Sequence, residues 1–397
     1  MKRILLVGSR LLHHPNLGWS LFKGQAIMPI AMNRPAKPFT EDLVRNHLPP
    51  CVSQVLNLCL LLAGFCLPIS GQDQAKPVIQ IVATGGTIAN TRAGRISIEQ
   101  TIADIRKNFP ETRTLLDSVE FAITDLIRIG SHDFSSQEFL NIARTVNQVI
   151  KDPGVQGVIV TQGTFSSEET AYFLHLLVKS DKPIVITNSQ RPHGTVGNDG
   201  DKNFVDAVSV VLSPDAVGKG AMLVNNQTIN SGREVLKTSV RPGAFVSGVL
   251  GVLGIIESDR VTFYRAPTRR HTTHSEFDID SITTLPKVEI ITAYFDADPR
   301  LIRAAAEIGV QGIVINGFTN GGLPYKDQRA ALEEQVDKGT AIVLTARGGL
   351  NNRVAVTSQN RFIEGDNLVA HKARILLQLA LTRTSDRDEI QRIFNEY

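Results

Sequence analysis

The chain has 397 residues, of which 42% are hydrophobic, and a formal net charge of +3. Residues 1–71 hold seven Lys or Arg and two acids, so the totals of 42 and 39 leave 35 basic and 37 acidic residues, a net −2, from residue 72 onward. The part of the chain from residue 72 onward, here called the body, is near neutral, and the chain has one Trp. It therefore offers nucleic acid neither a basic surface nor an aromatic platform, and we expect no such partner.

The first 71 residues are typical of a leader with a secretory signal peptide. An apolar run of about 15 residues, 55–69, follows Arg45 and ends at the small residues Ser70 and Gly71. Because a membrane span needs roughly 20 residues, we expect cleavage and no stable membrane association afterwards. The prediction is a periplasmic or secreted protein, and the alternative is an anchor helix that stays attached.

All three cysteines of the chain precede residue 72. Cys51, Cys59 and Cys66 all lie in the leader. The body therefore has no disulfide and no thiolate nucleophile, and its only metal ligands would be His or carboxylate. We expect neither a metal nor a cofactor.

From residue 77, apolar runs alternate with amphipathic segments. The runs lack polar alternation, which is typical of strands buried on both faces of a parallel sheet; they are 77–84, 157–163, 182–188, 220–226, 287–295, 312–317 and 340–346. Helices are predicted over 136–151 and 167–180, with capping-box spacing at Ser135 and Glu138 and at Ser166 and Glu169. Repeated strand–helix units predict an α/β architecture.

One segment breaks this alternation. Residues 265–286 are polar, charged and contain Pro, which is typical of a linker. They would separate an N-terminal α/β catalytic domain, 77–264, from a C-terminal α/β domain, 287–397.

Two predicted strands end in glycine-containing turns that lead to a threonine. In ATGGTIAN (83–90), Gly85 and Gly86 precede Thr87, and in GVIVTQGT (157–164) the turn leads to Thr164. Parallel α/β sheets bind ligands at this edge. The first turn could hold an oxyanion beside a nucleophile, a phosphate, or nothing. The incomplete glycine fingerprint disfavours a dinucleotide oxidoreductase.

A hydroxyl is a poor nucleophile without a base. Lys237, in NSGREVLKTSV (230–240), follows another predicted strand in a polar loop. By itself, such a lysine is more typical of an exposed surface than of a catalytic base.

Taken together, these segments resemble the bacterial L-asparaginase/glutaminase family, in particular its exported type II members. The resemblance extends from about residue 77 to the C-terminus. It rests on ATGGTIA, IGSHDF (129–134), GTFSSEETAYFL (163–174), SQRP (189–192), NDGDKNFVDAV (198–208), GREVLKT (232–238), YRAPTRRHT (264–272) and KARILLQLALTRT (372–384).

The resemblance implies an enzyme that hydrolyses side-chain amides through an acyl-enzyme and releases ammonia. Thr87 takes the place of the primary nucleophile, and Thr164 and Lys237 take two places in a second triad. Ser131 corresponds to the serine that binds the substrate α-carboxylate, and the backbone carbonyl of Ser189 faces the scissile amide. The implied fold is a large flavodoxin-like parallel-sheet domain plus a smaller α/β domain, and the implied assembly is a homotetramer.

Three departures from the family pattern concern the substrate α-amino group. The family binds it with a glutamine, an aspartate and a neighbouring subunit's glutamate; here the first two positions are His132 and Phe165, and residues 347–362 contain no acid. A buried ammonium without carboxylates would lose several kcal/mol, whereas a ring face returns only about 0.5–2 kcal/mol. We therefore predict that Phe165 packs against a substrate without a free α-amino group: a des-amino, N-acylated, cyclic or aromatic amide. Alternatively, Asp133 rebuilds the ammonium site.

Two further consequences concern the catalytic groups. Loss of the aspartate would lower the pKa of Lys237 relative to the family pattern and favour its neutral, basic form. The segment 90–100 is short and lacks the tyrosine that assists the family nucleophile. Either threonine could then attack first, and we favour Thr87 over Thr164.

The sequence thus predicts an exported amidohydrolase that forms a threonine acyl-enzyme and prefers substrates other than free asparagine. The alternatives are an ordinary periplasmic L-asparaginase/glutaminase and a non-catalytic small-molecule-binding relative. The leader and the neutral body disfavour a tRNA-dependent amidotransferase.

Overall fold

A computed structural model describes residues 75–397 except 259, 320, 349–351 and 355–360. The predicted leader with its apolar core, 55–69, lies outside the described residues, and segment 347–362 is described only in part. Among the residues that are described, no helix is long and apolar enough to cross a bilayer.

The strands of the N-terminal half come first in chain order. They are β1 Val78–Ala83, β2 Asn90–Thr91, β3 Gly94–Arg95, β4 Glu120–Asp125, β5 Val155–Thr161, β6 Ile184–Thr187, β7 Ala221–Asn225, β8 Thr228–Ser231, β9 Leu236–Lys237, β10 Phe245–Val246, β11 Gly254–Glu257 and β12 Arg260–Phe263. The strands that follow residue 286 are β13 Val288–Thr292, β14 Gly312–Gly317, β15 Ala341–Ala346 and β16 Ile363–Glu364.

The α-helices of the described residues alternate with these strands. They are α1 Ile98–Asn108, α2 Arg113–Leu116, α3 Ser136–Val149, α4 Ser167–Leu177, α5 Gly200–Leu212, α6 Arg300–Glu307, α7 Lys326–Asp337, α8 Ala370–Leu381 and α9 Arg387–Glu396.

Eight strands form the main sheet in the order β12-β11-β8-β7-β6-β5-β1-β4. Strands β4, β1, β5, β6 and β7 are parallel, and β8, β11 and β12 extend the sheet antiparallel. In chain order the parallel strands are arranged 2-1-3-4-5, the flavodoxin-like order. The chain leaves β1 towards one side of the sheet and β5 towards the other, so the ligand crevice of this fold lies at their carboxyl ends.

A second sheet contains β13, β14, β15 and β16 in that order, all parallel. Helix α8 packs on β13, β14 and β15 and also contacts α4. One hydrophobic core therefore continues from the main sheet through α8 to the second sheet. The two-sheet α/β architecture agrees with the expected fold class.

All seven predicted strands are present, with ends shifted by up to three residues. Most of their apolar runs are buried, as in β5, where six of seven residues are buried; β13 is the exception, with only Val288 buried. The sequence missed β4, whose residues are half-buried or exposed because it is the edge strand of the sheet. The segment 265–286 was predicted as a linker, yet Phe277, Ile279 and Ile282 within it are buried in the core.

The two predicted helix caps had different outcomes. Ser135 and Glu138 form the expected capping box at the start of α3. Ser166 precedes α4 but its side chain does not cap the helix. Its hydroxyl donates instead to the Ser131 carbonyl at 2.9 Å and accepts from Gln162 Nε2 at 3.2 Å. The hydroxyl therefore joins two loops at the sheet edge.

Candidate active site

The turns after β1 and β5 are in direct backbone contact. Gly86 has φ +90°, and a Cβ built on it would lie 2.2 Å from the Gly163 nitrogen. A Cβ on Gly163 would in turn lie 2.7 Å from Ser131 Oγ. Only glycine fits at both positions, since any side chain would push the loops apart. Three loops that carry predicted site residues thus meet at the crevice.

Thr87 follows Gly86 directly and starts a 3-10 turn, Thr87–Ala89. Its side chain is half-buried. The chain then forms the β2–β3 hairpin instead of a long loop. His193 N–H donates to the Asn90 carbonyl at 2.7 Å, and Arg95 donates to Asn90 Oδ1 at 3.1 Å and to the Arg128 carbonyl. The segment after Thr87 is therefore held on both of its strands.

Thr164 and Lys237 form the expected pair. Thr164 is buried, and its Oγ1 lies 2.6 Å from Lys237 Nζ. Lys237 is half-buried at the end of β9, which pairs with β10. When lysine is neutral, the threonine hydroxyl can donate its proton to Nζ across this distance.

Burial lowers the pKa of Lys237 below its ordinary value of 10.5, and the negative charge of Glu168 opposes this shift. The cause of this shift is desolvation by burial. The sequence-based expectation, that loss of the aspartate lowers the pKa of Lys237 relative to the family pattern, stays a prediction. Glu168 is itself buried, and its Oε2 accepts from the Lys237 backbone N–H at 2.5 Å. This carboxylate was not among the predicted site residues.

Phe165 lies against Lys237. Its ring centroid is 4.9 Å from Lys237 Nζ and 5.2 Å from the His132 ring, which meets it edge-on. The Phe165 side chain is 67% exposed, so one ring face is open to solvent. His132 Nε2 lies 3.3 Å from Asp133 Oδ2. Asp133 therefore faces the imidazole, and Phe165 and His132 together form an aromatic wall.

Ser131 is buried at the base of this wall. Its Oγ accepts from the Phe165 backbone N–H at 3.1 Å. With the Ser166 bond to its carbonyl, this contact fixes the Ser131 loop against the Thr164 loop. Thr87, Ser131, Thr164, Phe165 and Lys237 are thus on three neighbouring loops and one short hairpin.

Ser189 lies one strand further along the same sheet edge, after β6. Its hydroxyl contacts Asp199 Oδ1 at 3.1 Å and the Arg191 carbonyl. Asp199 also accepts from the backbone N–H groups of Gln190 and Arg191, at 3.0–3.1 Å. These bonds fix the backbone at Ser189, whose carbonyl is the group expected to face the amide.

Nothing in the described part of the chain resembles a metal centre, since no three His, Cys, Asp or Glu side chains converge there. A cavity of about 140 Å³ lies behind the Gly85 turn, lined in part by Arg95 and Asp125. It is on the hairpin side and does not include Thr164 or Lys237.

Comparison with known proteins agrees with this geometry. The sequence model of the N-terminal asparaginase domain matches residues 78–269, and that of the glutaminase/asparaginase C-terminal domain matches 287–394. L-asparaginase 2 of Bacillus subtilis is 37% identical over 83% of this chain and 88% of its own. A Haemophilus influenzae relative, named probable periplasmic L-asparaginase, is 34% identical over 86% of this chain and 99% of its own.

A solved structure is similarly close. The crystal structure of a probable cytoplasmic L-asparaginase from Campylobacter jejuni superposes with a TM-score of 0.75 at 36% identity, covering 81% of this chain and all of that one. Both domain models match in order, and the relatives are amidohydrolases. This chain therefore belongs to the bacterial type II L-asparaginase/glutaminase family and is an enzyme that acts on amides.

Proposed function

We propose that this protein is an exported amidohydrolase that cleaves a carboxamide through a threonine acyl-enzyme and discriminates against free asparagine. The observation that carries the proposal is the Phe165 ring, 4.9 Å from Lys237 Nζ and edge-on to His132. By the family resemblance, Phe165 and His132 take the positions of two groups that bind the α-ammonium of asparagine, and this supports the proposal.

In the proposed mechanism Thr87 attacks the amide carbon. The backbone N–H groups of the glycine turn that precedes it receive the developing oxyanion. As Thr87 attacks, it gives its hydroxyl proton to Thr164, and the Thr164 hydroxyl proton passes to neutral Lys237, 2.6 Å away. The lysine then returns a proton through Thr164 to the amide nitrogen, which leaves as ammonia when the C–N bond breaks. Water then hydrolyses the ester. Ser131 binds the substrate carboxylate.

The substrate class follows from charge. The ring and imidazole offer an ammonium about 0.5–2 kcal/mol of cation–π attraction, less than the hydrogen bonds it would give up on leaving water. An amide without a free α-amino group, because that group is absent, acylated or part of a ring, brings no ammonium that has to leave water. We therefore infer a des-amino, N-acylated, cyclic or aromatic amide.

A second candidate is an ordinary L-asparaginase/glutaminase. It is favoured by the names of the relatives, which describe asparaginases. In that case Asp133 would turn away from His132 and bind the ammonium.

Export and assembly are also proposals. The leader at 1–71 and the periplasmic relative support a periplasmic or secreted protein, whereas the Campylobacter jejuni neighbour is described as cytoplasmic. The family resemblance supports a homotetramer. Cell fractionation and analytical ultracentrifugation test the two proposals separately.

The deciding experiment measures ammonia release from asparagine and from succinamate, its des-amino analogue, by the purified protein. We expect a higher kcat/KM for succinamate. Faster turnover of asparagine would support the second candidate. Thr87→Ala and Lys237→Met provide controls, since loss of turnover with a retained fold separates an enzyme from a binding protein.

A further inference from the structure

Lys372 is a buried charge outside the residues considered so far. It lies in the first turns of α8, and its side chain is 1% exposed. Its Nζ donates to the carbonyls of Gly232 and Arg233, each at 2.9 Å, and to that of Val235. The three N–H bonds of one ammonium are therefore all used on a single short stretch of backbone.

That stretch leads directly to the catalytic lysine. Residues 232–235 connect β8 to β9, and Lys237 is the last residue of β9. Val235 is two residues from Lys237, so a displacement of the Val235 carbonyl would shift the β9 backbone from which Lys237 Nζ reaches Thr164 Oγ1.

The same stretch is held a second time through Arg233. Its Nε donates to the Tyr397 carbonyl at 2.7 Å, and its Nη1 donates to Asn367 Oδ1 at 2.8 Å. Nη2 lies 3.5 Å from Asp366 Oδ2. All of these partners, like Lys372, belong to the part of the chain after residue 286.

Glu168 of α4 accepts from the Lys237 backbone N–H. A carboxylate of the N-terminal half thus binds β9, and an ammonium of the C-terminal half binds the residues directly before it. Placing an uncompensated ammonium in a protein interior costs several kcal/mol. Burial lowers the pKa of Lys372 to about 8, and the negative charges of Glu168 and Glu234 oppose this shift. The three carbonyl acceptors match the three donors of the ammonium form.

We propose that Lys372 is a positioning residue that sets the catalytic geometry of Lys237 by fixing the carbonyls of residues 232, 233 and 235. This inference rests on the proposed function, in which Lys237 carries the proton. It assigns the C-terminal part of the chain a role in the site within one subunit.

The test uses two variants of the full chain. Lys372→Met keeps the length of the side chain and removes the charge, and Lys372→Arg keeps the charge but spreads its donors over a planar group that cannot point at three converging carbonyls. We expect folded variants whose kcat falls roughly 10- to 100-fold, since small misplacements of a reacting group have effects of this size. KM should change less than about threefold, because the substrate contacts are elsewhere.

The matched control is Arg374→Met. Arg374 lies on the same helix and donates to the Val288 carbonyl at 2.8 Å, away from the 232–235 stretch. It should lose comparable stability but keep kcat. Thermal unfolding of every variant separates a loss of folded protein from a loss of activity in the folded state.

A pH–rate profile supplies the readout that a purely structural role would not change. In the Lys372 variants, the acid limb of kcat/KM should move, because Lys237 would occupy a different environment. Wild-type kcat and an unmoved limb in both folded variants would overturn the inference. Lys237→Met is measured alongside: activity there would refute the proposed function itself, whereas an inactive Lys237→Met beside a normal Lys372→Met would refute only the positioning role. If Lys372→Met does not fold, Lys372→Arg decides.

Discussion

Replacing Phe165 with aspartate tests the origin of the proposed substrate preference. The change removes the ring above Lys237 and places a carboxylate in its position. Phe165→Asn is the matched control, because the amide has the same shape without the charge. We expect the aspartate variant to gain asparagine turnover and to raise the pKa of Lys237.

The magnitude follows from the distance. With the ring centroid 4.9 Å from Nζ, a carboxylate at about 5 Å attracts the ammonium by roughly 3 kcal/mol at an effective dielectric of 20 and by roughly 1 kcal/mol in water. Phe165 is 67% exposed, so the screened end applies, about 1 kcal/mol or somewhat under one pKa unit. A charge-assisted hydrogen bond to the substrate ammonium adds about 1.5–3 kcal/mol of binding.

The assay is ammonia release from asparagine and succinamate between pH 5 and 10. In Phe165→Asp, the ratio of kcat/KM for asparagine over succinamate should rise about 10- to 100-fold, and the acid limb should move up by about half to one pH unit. Phe165→Asn should show neither effect. Equal ratios in the two variants would refute the reasoning, because charge would then not determine which amide is accepted.

Three further predictions concern stability. Gly86→Ala should lose turnover and about 2–4 kcal/mol of unfolding free energy, because its Cβ would overlap the Gly163 nitrogen. The control is Gly243→Ala, where φ is +80° but the space around the Cβ is open, and this variant should lose only about 1 kcal/mol. Equal losses of the two variants in urea melts would contradict the close contact. Ser166→Ala should lower the free energy of unfolding by about 1–2 kcal/mol and weaken substrate binding, because the Ser131 carbonyl loses its hydrogen bond. Ser135→Ala should lower it by about 1 kcal/mol and leave KM unchanged. Burial and the neighbouring His271 lower the pKa of His175 well below 6.5. On acidification the unfolded state therefore binds the proton first, and the free energy of unfolding should fall as the pH drops below about 6.5. His175→Leu should show a flatter decline with pH, and parallel stability curves for variant and wild type would rule out this histidine as the cause.

The sheet could be predicted from the sequence because its central strands are buried on both faces. Runs such as VIQIVA and GIVING are short, rich in β-branched residues and almost wholly apolar, which favours buried strands. Strand β4, EFAITD, has neither a continuous apolar run nor full burial, because only one neighbour covers it. The sequence of an edge strand therefore carries a weaker signal.

Some residues of the candidate site could be predicted from the sequence and others could not. Thr87 and Thr164 could be placed together because parallel strands bring their carboxyl ends to one edge. Glu168 contacts Lys237 across 69 residues, and Lys372 contacts Gly232 across 140. No local pattern specifies such partners. One signal was present: Lys372 is a charge in a helix whose following residues, Ala373, Ile375 and Leu376, are buried.

The Ser166 cap shows the limit of spacing rules. Ser166 and Glu169 have the separation of a capping box, but the Ser166 hydroxyl donates to the Ser131 carbonyl in a neighbouring loop and does not cap the helix. Local hydrogen bonds compete with tertiary ones, and the sequence does not reveal which is formed.

The proposed role of the bonds between Lys372 and residues 232–235 has a consequence for when activity arises. During synthesis, the β8–β9 connection is made 140 residues before Lys372, so a nascent chain holds Thr87, Thr164 and Lys237 well before α8. Contacts this distant in sequence form late in folding, after their loops close. We therefore expect a chain still attached to the ribosome to carry all three residues and yet to hydrolyse amides at least roughly 10-fold more slowly than the released protein, in which α8 has docked.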